Sequence, residues 1–335
     1  MIRLVQIQNA AARRVALVEE PRLRLLDRRF DSVYALIQAA LEAGTSPAAL
    51  AQRHLIADAL DYDPVYAGAS EWRLLLPADH PQDPARCLVS GTGLTHLGSA
   101  RDRQAMHEAA AAELTDSMKM FRWGMEGGRP APGRIGTAPE WFYKGNGTIL
   151  RAHGEPLEVP AYAEDGGEEA EIAGVYLIDA RGQPCRIGMT IGNEFSDHRF
   201  EKKNYLNLAG SKIRTCSLGP ELVLDPVFQS VSGRVAIERG GRVLWSKEIS
   251  TGESEMCHSL PNIEHHHFKF ATHRRPGDLH VHYYGAHSLS FGAGLQLADG
   301  DAMVIAFEGF GRPLRNALRV SPPPESLVSV RTFSS

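Results

Sequence analysis

Three glutamates, Glu169, Glu171 and Glu194, have the residue type and the spacing to bind one metal ion together. Alternate residues of a β-strand point to the same face, so Glu169 and Glu171 would have Cα atoms roughly 6.5–7 Å apart on that face. Carboxylates this close repel one another unless a hard cation neutralises them. Oxygen ligands that leave positions for water or substrate suit Mg²⁺ or Mn²⁺. The spacing therefore predicts a divalent-metal site.

The third glutamate joins the other two if residues 168–198 form a β-hairpin. Their sequence, EEAEIAGVYLIDARGQPCRIGMTIGNEFSDH, places two apolar runs on either side of Arg181 and Gly182. With the turn centred there, Glu194 pairs with Glu169 on the same face, at a distance of about 5 Å. The alternative is a solvated acidic rim, because runs of charge usually face water.

Short strands separated by turns predict a β-rich α+β fold for most of the chain. We expect this β-rich body to occupy residues 85–335 and to begin with a buried strand, followed by a helix over 99–121. Within it, the predicted strands include 171–178, 185–193, 233–239, 242–248, 280–284 and 302–308.

A small α/β domain is predicted for residues 1–80. It has strands at 3–7 and 15–18 and two helices, for which Asp31 and Ser46 are the expected caps. Three prolines within residues 77–84 predict a linker to the rest of the chain.

The composition excludes several functional classes. The chain has 335 residues, 36 Lys and Arg against 40 Asp and Glu, and a net charge of -4. That charge does not favour binding to nucleic acid. We expect no membrane span, because no run approaches about 20 apolar residues, and the N-terminus does not resemble a signal peptide, so a cytoplasmic location is expected. The four cysteines form no CxxC pair, which argues against a disulfide framework or a zinc site.

Four ordered motifs carry a resemblance to a known family: PEWFYKG (139–145), EAEIAGV (169–175), GMTIGNEFSDH (188–198) and SKIRTCSLGP (211–220). In order and spacing they resemble the motifs of the fumarylacetoacetate hydrolase (FAH) superfamily. The resemblance implies a mixed β-roll around a metal ion, with a 2-keto acid substrate bound through its carboxylate and keto oxygens. It also implies a homodimer or a higher homo-oligomer. By position, the metal ligands are Glu169, Glu171 and Glu194.

The longer stretch NYLNLAGSKIRTCSLGPELV (204–223), together with GTGLTHLGSARDR (91–103), is most similar to the branch that dehydrates 2-keto-3-deoxy sugar acids. Two departures from the family pattern occur in this chain. Glu194 stands where an aspartate is usual, and its additional methylene can move the ion or change its coordination. Asp197 and His198 stand where Ala-Arg is common, so the polar groups that face the substrate can differ.

The resemblance also implies roles for other residues. Lys212 lies at the position of the family's active-site lysine and is the expected base for the C3 proton of the substrate. Glu140 is the expected donor of a proton to the C4 hydroxyl, with a structural role as its alternative. The residues expected to bind the substrate are Arg101, Lys144, Ser196, Ala286 and His287.

Dehydration of a 2-keto-3-deoxy-pentonate to 2,5-dioxopentanoate is the preferred function. The competing reaction is C–C bond hydrolysis of an acylpyruvate or a 2,4-diketo-3-deoxy acid, and His96, His107 and Glu108 keep it open. A non-catalytic sugar-acid binding protein is the remote alternative. The His-rich stretch that contains His265, His266 and His267 lacks the spacing of a zinc site. One member of this stretch can still reach the pocket.

Overall fold

The computed structural model describes residues 1–98, 115–322 and 327–333. Within these ranges, no helix is both long and apolar enough to cross a lipid bilayer. The β-rich α+β class is confirmed.

Strands dominate the secondary structure, and the six strands predicted after residue 165 are all present with bounds shifted by no more than three residues. In chain order the strands are β1 (Ile2–Gln8), β2 (Arg13–Glu19), β3 (Arg22–Leu26), β4 (Leu55–Asp61), β5 (Arg73–Leu74), β6 (Cys87–Gly93), β7 (Glu140–Asn146), β8 (Leu150–Arg151), β9 (Leu157–Val159), β10 (Ala170–Ile178), β11 (Pro184–Asn193), β12 (Cys216–Leu218), β13 (Leu222–Leu224), β14 (Val231–Arg239), β15 (Arg242–Thr251), β16 (Leu279–Tyr283), β17 (Ala302–Phe307) and β18 (Leu314–Val320).

The described α-helices are short and lie around the sheets: α1 (Val33–Ala43), α2 (Pro47–Arg53), α3 (Tyr62–Tyr66), α4 (Asp116–Gly127), α5 (His198–Lys203), α6 (Leu208–Lys212) and α7 (Leu260–Phe268). Two predicted helix boundaries are wrong. The side chain that caps α1 is Ser32 instead of Asp31, because the Ser32 hydroxyl accepts the Ala35 N–H. Of the helix predicted over 99–121, residues 99–114 lie outside the described part of the chain, and α4 begins at Asp116, after its cap Thr115, and ends at Gly127 instead of Phe121.

The described residues form one sheet of 13 strands and a second of five. Along the first, the order is β4-β3-β2-β1-β13-β11-β10-β16-β6-β7. Strand β1 pairs antiparallel with β13, through Ile2 with Leu224 and Leu4 with Leu222. The hydrogen-bonded ladder therefore continues from the N-terminal strands into the strands that follow residue 85.

The hairpin β10–β11 lies at the centre of the large sheet and is buried on both faces. One face contributes Ile172 and Ile191 to a core shared with the five-stranded sheet. The other face contributes Ala173 and Val175 to the core that packs under α1. Because side chains alternate along a strand, Glu171 lies on the same face as Ala173 and Val175. The acidic side chains therefore lie on the face turned away from the five-stranded sheet.

The predicted pairing of Glu169 with Glu194 is confirmed. Between Ala170 and Val175 the paired numbers follow the predicted register, and the Glu194 N–H donates to the Glu169 carbonyl at 2.9 Å. Beyond Val175 a bulge shifts the register by one residue, so Tyr176 pairs with Arg186. The bulge lies on the turn side of the hairpin and leaves the two glutamates opposed.

Candidate metal centre

Three buried carboxylates converge where β10 and β11 begin and end. Glu169, Glu171 and Glu194 each offer an oxygen atom, and these atoms lie within 4.8 Å of one another. Hairpin register places Glu194 beside Glu169, and strand alternation places Glu171 beside both. Within the described parts of the chain, this is the single group of three or more His, Cys, Asp or Glu side chains that meets this criterion.

Two buried lysines contact Glu169 and Glu194. Lys212 Nζ donates to Glu169 Oε1 and Glu194 Oε2, both at 2.6 Å. Lys144 Nζ donates to Glu194 Oε1 and to the Phe195 carbonyl, the latter at 2.9 Å. Lys212 closes α6 in the segment between β11 and β12, whereas Lys144 lies on β7. The sequence therefore brings lysines from two distant segments onto one acidic pair.

Strand β7 presents a row of predicted site residues on one face. Glu140, Phe142 and Lys144 alternate along it and are all buried. The centroid of the Phe142 ring lies 4.7 Å from Lys212 Nζ, a cation–π contact that helps to hold the ammonium. Glu140 accepts a hydrogen bond from the Tyr205 hydroxyl at 2.9 Å. Strand β7 therefore aligns the predicted proton donor with both lysines.

The electrostatics of the group are unbalanced toward negative charge. Burial raises the pKa of Glu171 well above its usual range, and the charges of Glu194 and Glu169 raise it further. Burial and Glu169 also raise the pKa of Glu194, although Lys144 and Lys212 partly offset this effect. The pKa of Glu169 is lowered, because Lys212 and His198 together outweigh its burial. Three carboxylates against two ammonium groups leave the group short of positive charge.

This donor set fits a divalent cation. All three side chains are carboxylates, which hard cations such as Mg²⁺ prefer as ligands. Their close approach and the raised pKa of Glu171 indicate a repulsion that a cation would relieve. The residues that would hold the ion are Glu169, Glu171 and Glu194.

The loop after β16 touches the third carboxylate. The Gly285 N–H donates to Glu171 Oε2 at 2.6 Å, and Gly285 has φ of 101°, a conformation that favours glycine. Ala286 and His287 follow directly, with Ala286 buried and His287 partly buried. The neighbouring carboxylate of Glu168 accepts from both the N–H and the hydroxyl of Ser290 at 2.7 Å. Glu171 and Glu168 therefore hold this loop at Gly285 and at Ser290, on either side of the two predicted substrate-binding residues.

The other predicted substrate-binding residues differ in placement. Ser196 lies inside the acidic group, where its hydroxyl is 3.0 Å from Glu194 Oε1 and accepts from Lys212 at 3.0 Å. Lys144 also lies against Glu194. Arg101 lies outside the described residues, as do His107 and Glu108.

Prediction from sequence missed two contacts. His198 Nε2 lies 3.1 Å from Glu169 Oε1, and Tyr205 binds Glu140. Burial would lower the pKa of His198, but the hydrogen bond to Glu169 and its charge raise it overall. The departure from the family pattern at His198 was the available signal. No comparable signal marked Tyr205, apart from its position in the stretch 204–223.

Among the described residues, His267, His280 and His282 form a buried cluster that does not meet the criterion for a metal site. His282 is bonded through both ring nitrogens, to Ser90 at 2.8 Å and Thr92 at 2.7 Å. His267 Nε2 lies 3.0 Å from His280 Nδ1. Burial and mutual repulsion lower the pKa of His280 and His282 to about 3. These rings therefore form hydrogen bonds with one another and with side chains of the neighbouring strand β6.

Comparison with known proteins gives structural matches alone. No family model matches the chain, and no curated protein matches it. One structural match is 2-keto-3-deoxy-D-arabinonate dehydratase in complex with magnesium and 2,5-dioxopentanoate, at 20% identity and a TM-score of 0.70, covering 96% of this chain and 99% of that chain.

A second match is 2-hydroxyhepta-2,4-diene-1,7-dioate isomerase from Mycobacterium marinum, at 18% identity, a TM-score of 0.58 and coverage of 96% and 99%. A third is 5-carboxymethyl-2-hydroxymuconate delta-isomerase from Mycobacterium smegmatis, at 19% identity, a TM-score of 0.56 and coverage of 95% and 100%. At these identities the likeness establishes the fold. The FAH-type fold that the motifs implied is confirmed.

Proposed function

We propose that this chain, which shares its fold with these enzymes, is a divalent-metal dehydratase of the FAH superfamily. Its proposed substrate is a 2-keto-3-deoxy-pentonate such as 2-keto-3-deoxy-D-arabinonate, and its product is 2,5-dioxopentanoate. The observation that carries the proposal is the convergence of Glu169, Glu171 and Glu194 with Lys212 Nζ 2.6 Å from two of them. The match to a dehydratase structure with magnesium and 2,5-dioxopentanoate supports the choice of substrate and metal.

Bound Mg²⁺, or Mn²⁺ in its place, would supply a Lewis acid to the carboxylate and keto oxygens of the substrate and a charge that favours the neutral amine of Lys212. Lys212 then takes a proton from C3, and Glu140 gives a proton to the C4 hydroxyl, which leaves as water. The product of this step is the 3,4-unsaturated 2-keto acid. Loss of a C5 proton and return of a proton to C3 give an enol, which tautomerises to the 5-aldehyde. The sum is loss of one water.

The other predicted site residues are proposed to bind the substrate. We propose that Lys144 and Arg101 bind the substrate carboxylate. Ser196 and the loop residues Ala286 and His287 are proposed to line the rest of the substrate-binding site. An arginine can bind a carboxylate through two parallel hydrogen bonds. Of these residues, Lys144 and Ser196 lie directly against Glu194.

The hydrolase alternative needs a base that holds a water against the distal carbonyl. His96 is poorly suited to that role. Thr95 gives its one hydroxyl proton to the Tyr284 carbonyl at 2.8 Å, so it accepts from His96 Nδ1, and His96 Nε2 then accepts from Thr251 at 3.1 Å. Burial, with a smaller contribution from His287, lowers the pKa of His96 to about 3. Both ring nitrogens are engaged, which argues against His96 as that base. The other residues of the hydrolase alternative, His107 and Glu108, lie outside the described residues.

One experiment separates the reactions. Purified protein with Mg²⁺ is incubated with 2-keto-3-deoxy-pentonates and, separately, with acylpyruvates, and the products are identified by mass spectrometry. Semialdehyde without pyruvate supports dehydration, and pyruvate with a second acid supports hydrolysis. Binding without turnover would support the sugar-acid binding protein. Full activity after exhaustive chelation would overturn the metal-dependent proposal.

We also propose the domain division and the assembly that the sequence predicts. The division separates residues 1–80 from 85–335, and the assembly is a homodimer or a higher homo-oligomer. Light scattering on the purified protein tests the assembly.

A further inference from the structure

A buried histidine lies behind one proposed metal ligand. His198 begins α5, is 3% exposed, and places Nε2 3.1 Å from Glu169 Oε1. A hydrogen bond between a ring nitrogen and a carboxylate oxygen requires a hydrogen on the nitrogen. Nε2 is therefore the donor, whether or not the second ring nitrogen also carries a proton.

The ring has little freedom to turn away from Glu169. A Cβ at Gly167 would lie 2.6 Å from His198 Nδ1 and 2.7 Å from Cε1, so this ring packs directly on a glycine backbone. That backbone is itself fixed by two hydrogen bonds with Ser196, at 3.0 and 3.1 Å. The Phe291 ring covers another side, with its centroid 5.2 Å from that of His198. Packing, and the hydrogen bond to Glu169, therefore set the orientation of the imidazole.

Nδ1 of this ring is buried and has no hydrogen-bond partner among the described residues. The polar interaction that orients His198 is therefore the one with Glu169. A buried polar atom left without a partner destabilises the fold, so the hydrogen bond from Nε2 is the favourable polar contact of this side chain.

The hydrogen bonds divide the two oxygens of Glu169 by role. Oε1 accepts from Lys212 Nζ at 2.6 Å and from His198 Nε2 at 3.1 Å. Two donors use the two lone pairs of this oxygen, which leaves Oε2 as the atom able to bind a cation. Without the His198 donor, Oε1 would keep the hydrogen bond from Lys212 but have a lone pair to spare, so either oxygen could turn toward a cation.

We propose that His198 is a positioning residue, which holds Glu169 so that one defined oxygen faces the cation and thereby sets the affinity of the site for the metal. This inference rests on the proposed function, because it takes Glu169 as a metal ligand. Groups behind metal ligands typically change metal affinity 10- to 100-fold when they are removed.

The test compares three substitutions that differ in where they place a donor. His198→Gln can put an amide N–H near the position of Nε2, His198→Asn can put one near Nδ1, and His198→Leu has none. Mn²⁺ affinity is measured by calorimetry, and the ion's environment by electron paramagnetic resonance. We expect His198→Asn and His198→Leu to weaken Mn²⁺ binding about 10- to 100-fold. His198→Gln should bind nearly as the parent does.

A double-mutant cycle assigns the effect to Glu169. In a Glu169→Gln background, His198→Asn should change Mn²⁺ affinity by less than about twofold, because the oriented carboxylate is already absent. If His198→Leu does not fold, the comparison of His198→Gln with His198→Asn still tests the role of His198. Equal Mn²⁺ affinity in all three variants, with tight binding by the parent, overturns the role of His198 alone. A parent protein that binds no Mn²⁺, or whose affinity is unchanged by Glu171→Gln, overturns both this inference and the proposed function.

Discussion

At the scale of single residues, Lys212 is held by groups that also fix its direction. Its ammonium contacts two carboxylates and the Ser196 hydroxyl, and it lies over the Phe142 ring. A side chain with so many contacts is preorganised, so little conformational entropy is lost when a substrate arrives.

Replacing Lys212 by methionine should suppress removal of the C3 proton. The substitution keeps most of the volume and deletes the amine, and loss of a positioned base typically costs about 10²- to 10⁴-fold in rate. Exchange of the C3 protons of 2-oxobutanoate, which has no C4 hydroxyl to lose, is followed by NMR in D₂O. Exchange is compared at saturating Mg²⁺, because Lys212 also donates to Glu169 and Glu194 and its removal can change Mg²⁺ affinity. The control is Lys203→Ala, an exposed lysine in the same segment, and normal exchange in Lys212→Met would exclude the lysine as the base.

Glu171 differs from the other two glutamates because no lysine contact to it is present among the described residues. Its described hydrogen bond comes from the Gly285 N–H, and its pKa is raised by burial and by its acidic neighbours. A bound cation would therefore be its main source of neutralising charge. Glu171→Gln keeps the shape and should weaken Mg²⁺ binding at least about 10-fold, by calorimetry.

The control for this substitution is Glu155→Gln. Glu155 is partly buried and accepts the Ala152 N–H at 2.8 Å, away from the proposed ligands. Its replacement should leave Mg²⁺ affinity unchanged. Equal affinity in Glu171→Gln and the parent would remove Glu171 from the ligand set.

At the scale of elements, local patterns in the sequence predicted what local forces determine. Strand alternation and the Arg181-Gly182 turn gave the register that opposes Glu169 and Glu194, and both side chains lie as expected. The bulge after Val175 escaped prediction because no local signal marks it. The cap at Ser32 was misplaced by one residue, because Asp31 is an equally good cap by residue type.

The contacts of the segment between β11 and β12 could not be predicted in the same way. His198, Tyr205 and Lys212 lie on three short helical turns, and each reaches a group far away in sequence. Such contacts depend on how the segment packs over the sheet, which periodicity does not encode. Of these three residues, the family resemblance predicted a role for Lys212 alone.

Substitution of Tyr205 tests whether this segment orients the proposed proton donor on β7. Its hydroxyl donates to Glu140 at 2.9 Å, so it orients the proposed proton donor. Tyr205→Phe should lower kcat for dehydration about 10-fold and leave KM nearly unchanged, because a positioning hydrogen bond acts mainly on the transition state. Exchange of the C3 protons should be unaffected. A parallel loss of C3 exchange would instead indicate that the whole segment has moved.

At the scale of the molecule, one continuous sheet joins the N-terminal strands to the strands around the metal centre. The sequence predicted a small N-terminal domain from its strands and helices and from a proline-rich stretch. The β1–β13 pairing could not be predicted in this way, because it spans more than 200 residues and has no local signature. Buried histidines lie on this sheet and beside it: His280 and His282 are on β16, and His96 follows β6. Their burial links the stability of the whole chain to pH.

Stability should fall as the solution becomes acidic. The pKa of His96, His280 and His282 is lowered to about 3 by burial, whereas an unfolded histidine titrates near 6.5. Below pH 6.5 the unfolded chain therefore binds more protons than the folded one. The contribution of these rings is complete above pH 6.5 and is lost progressively as pH falls toward 3. Each ring contributes about 1.4 kcal/mol per pH unit in that window, so together they lower the free energy of unfolding by roughly 4 kcal/mol between pH 7.5 and 5.5.

His282→Gln isolates one of these rings from all other titrating groups. Glutamine can keep hydrogen bonds to Ser90 and Thr92 but has no proton to gain. Urea unfolding at fixed Mg²⁺, at pH 7.5 and 5.5, should show a difference between the two pH values that is smaller than in the parent by about 1.4 kcal/mol. His265→Gln, on the exposed face of α7, is the matched control and should behave as the parent. An unchanged difference in His282→Gln would mean that this ring already titrates in the folded protein, and that its burial does not govern the response to acid.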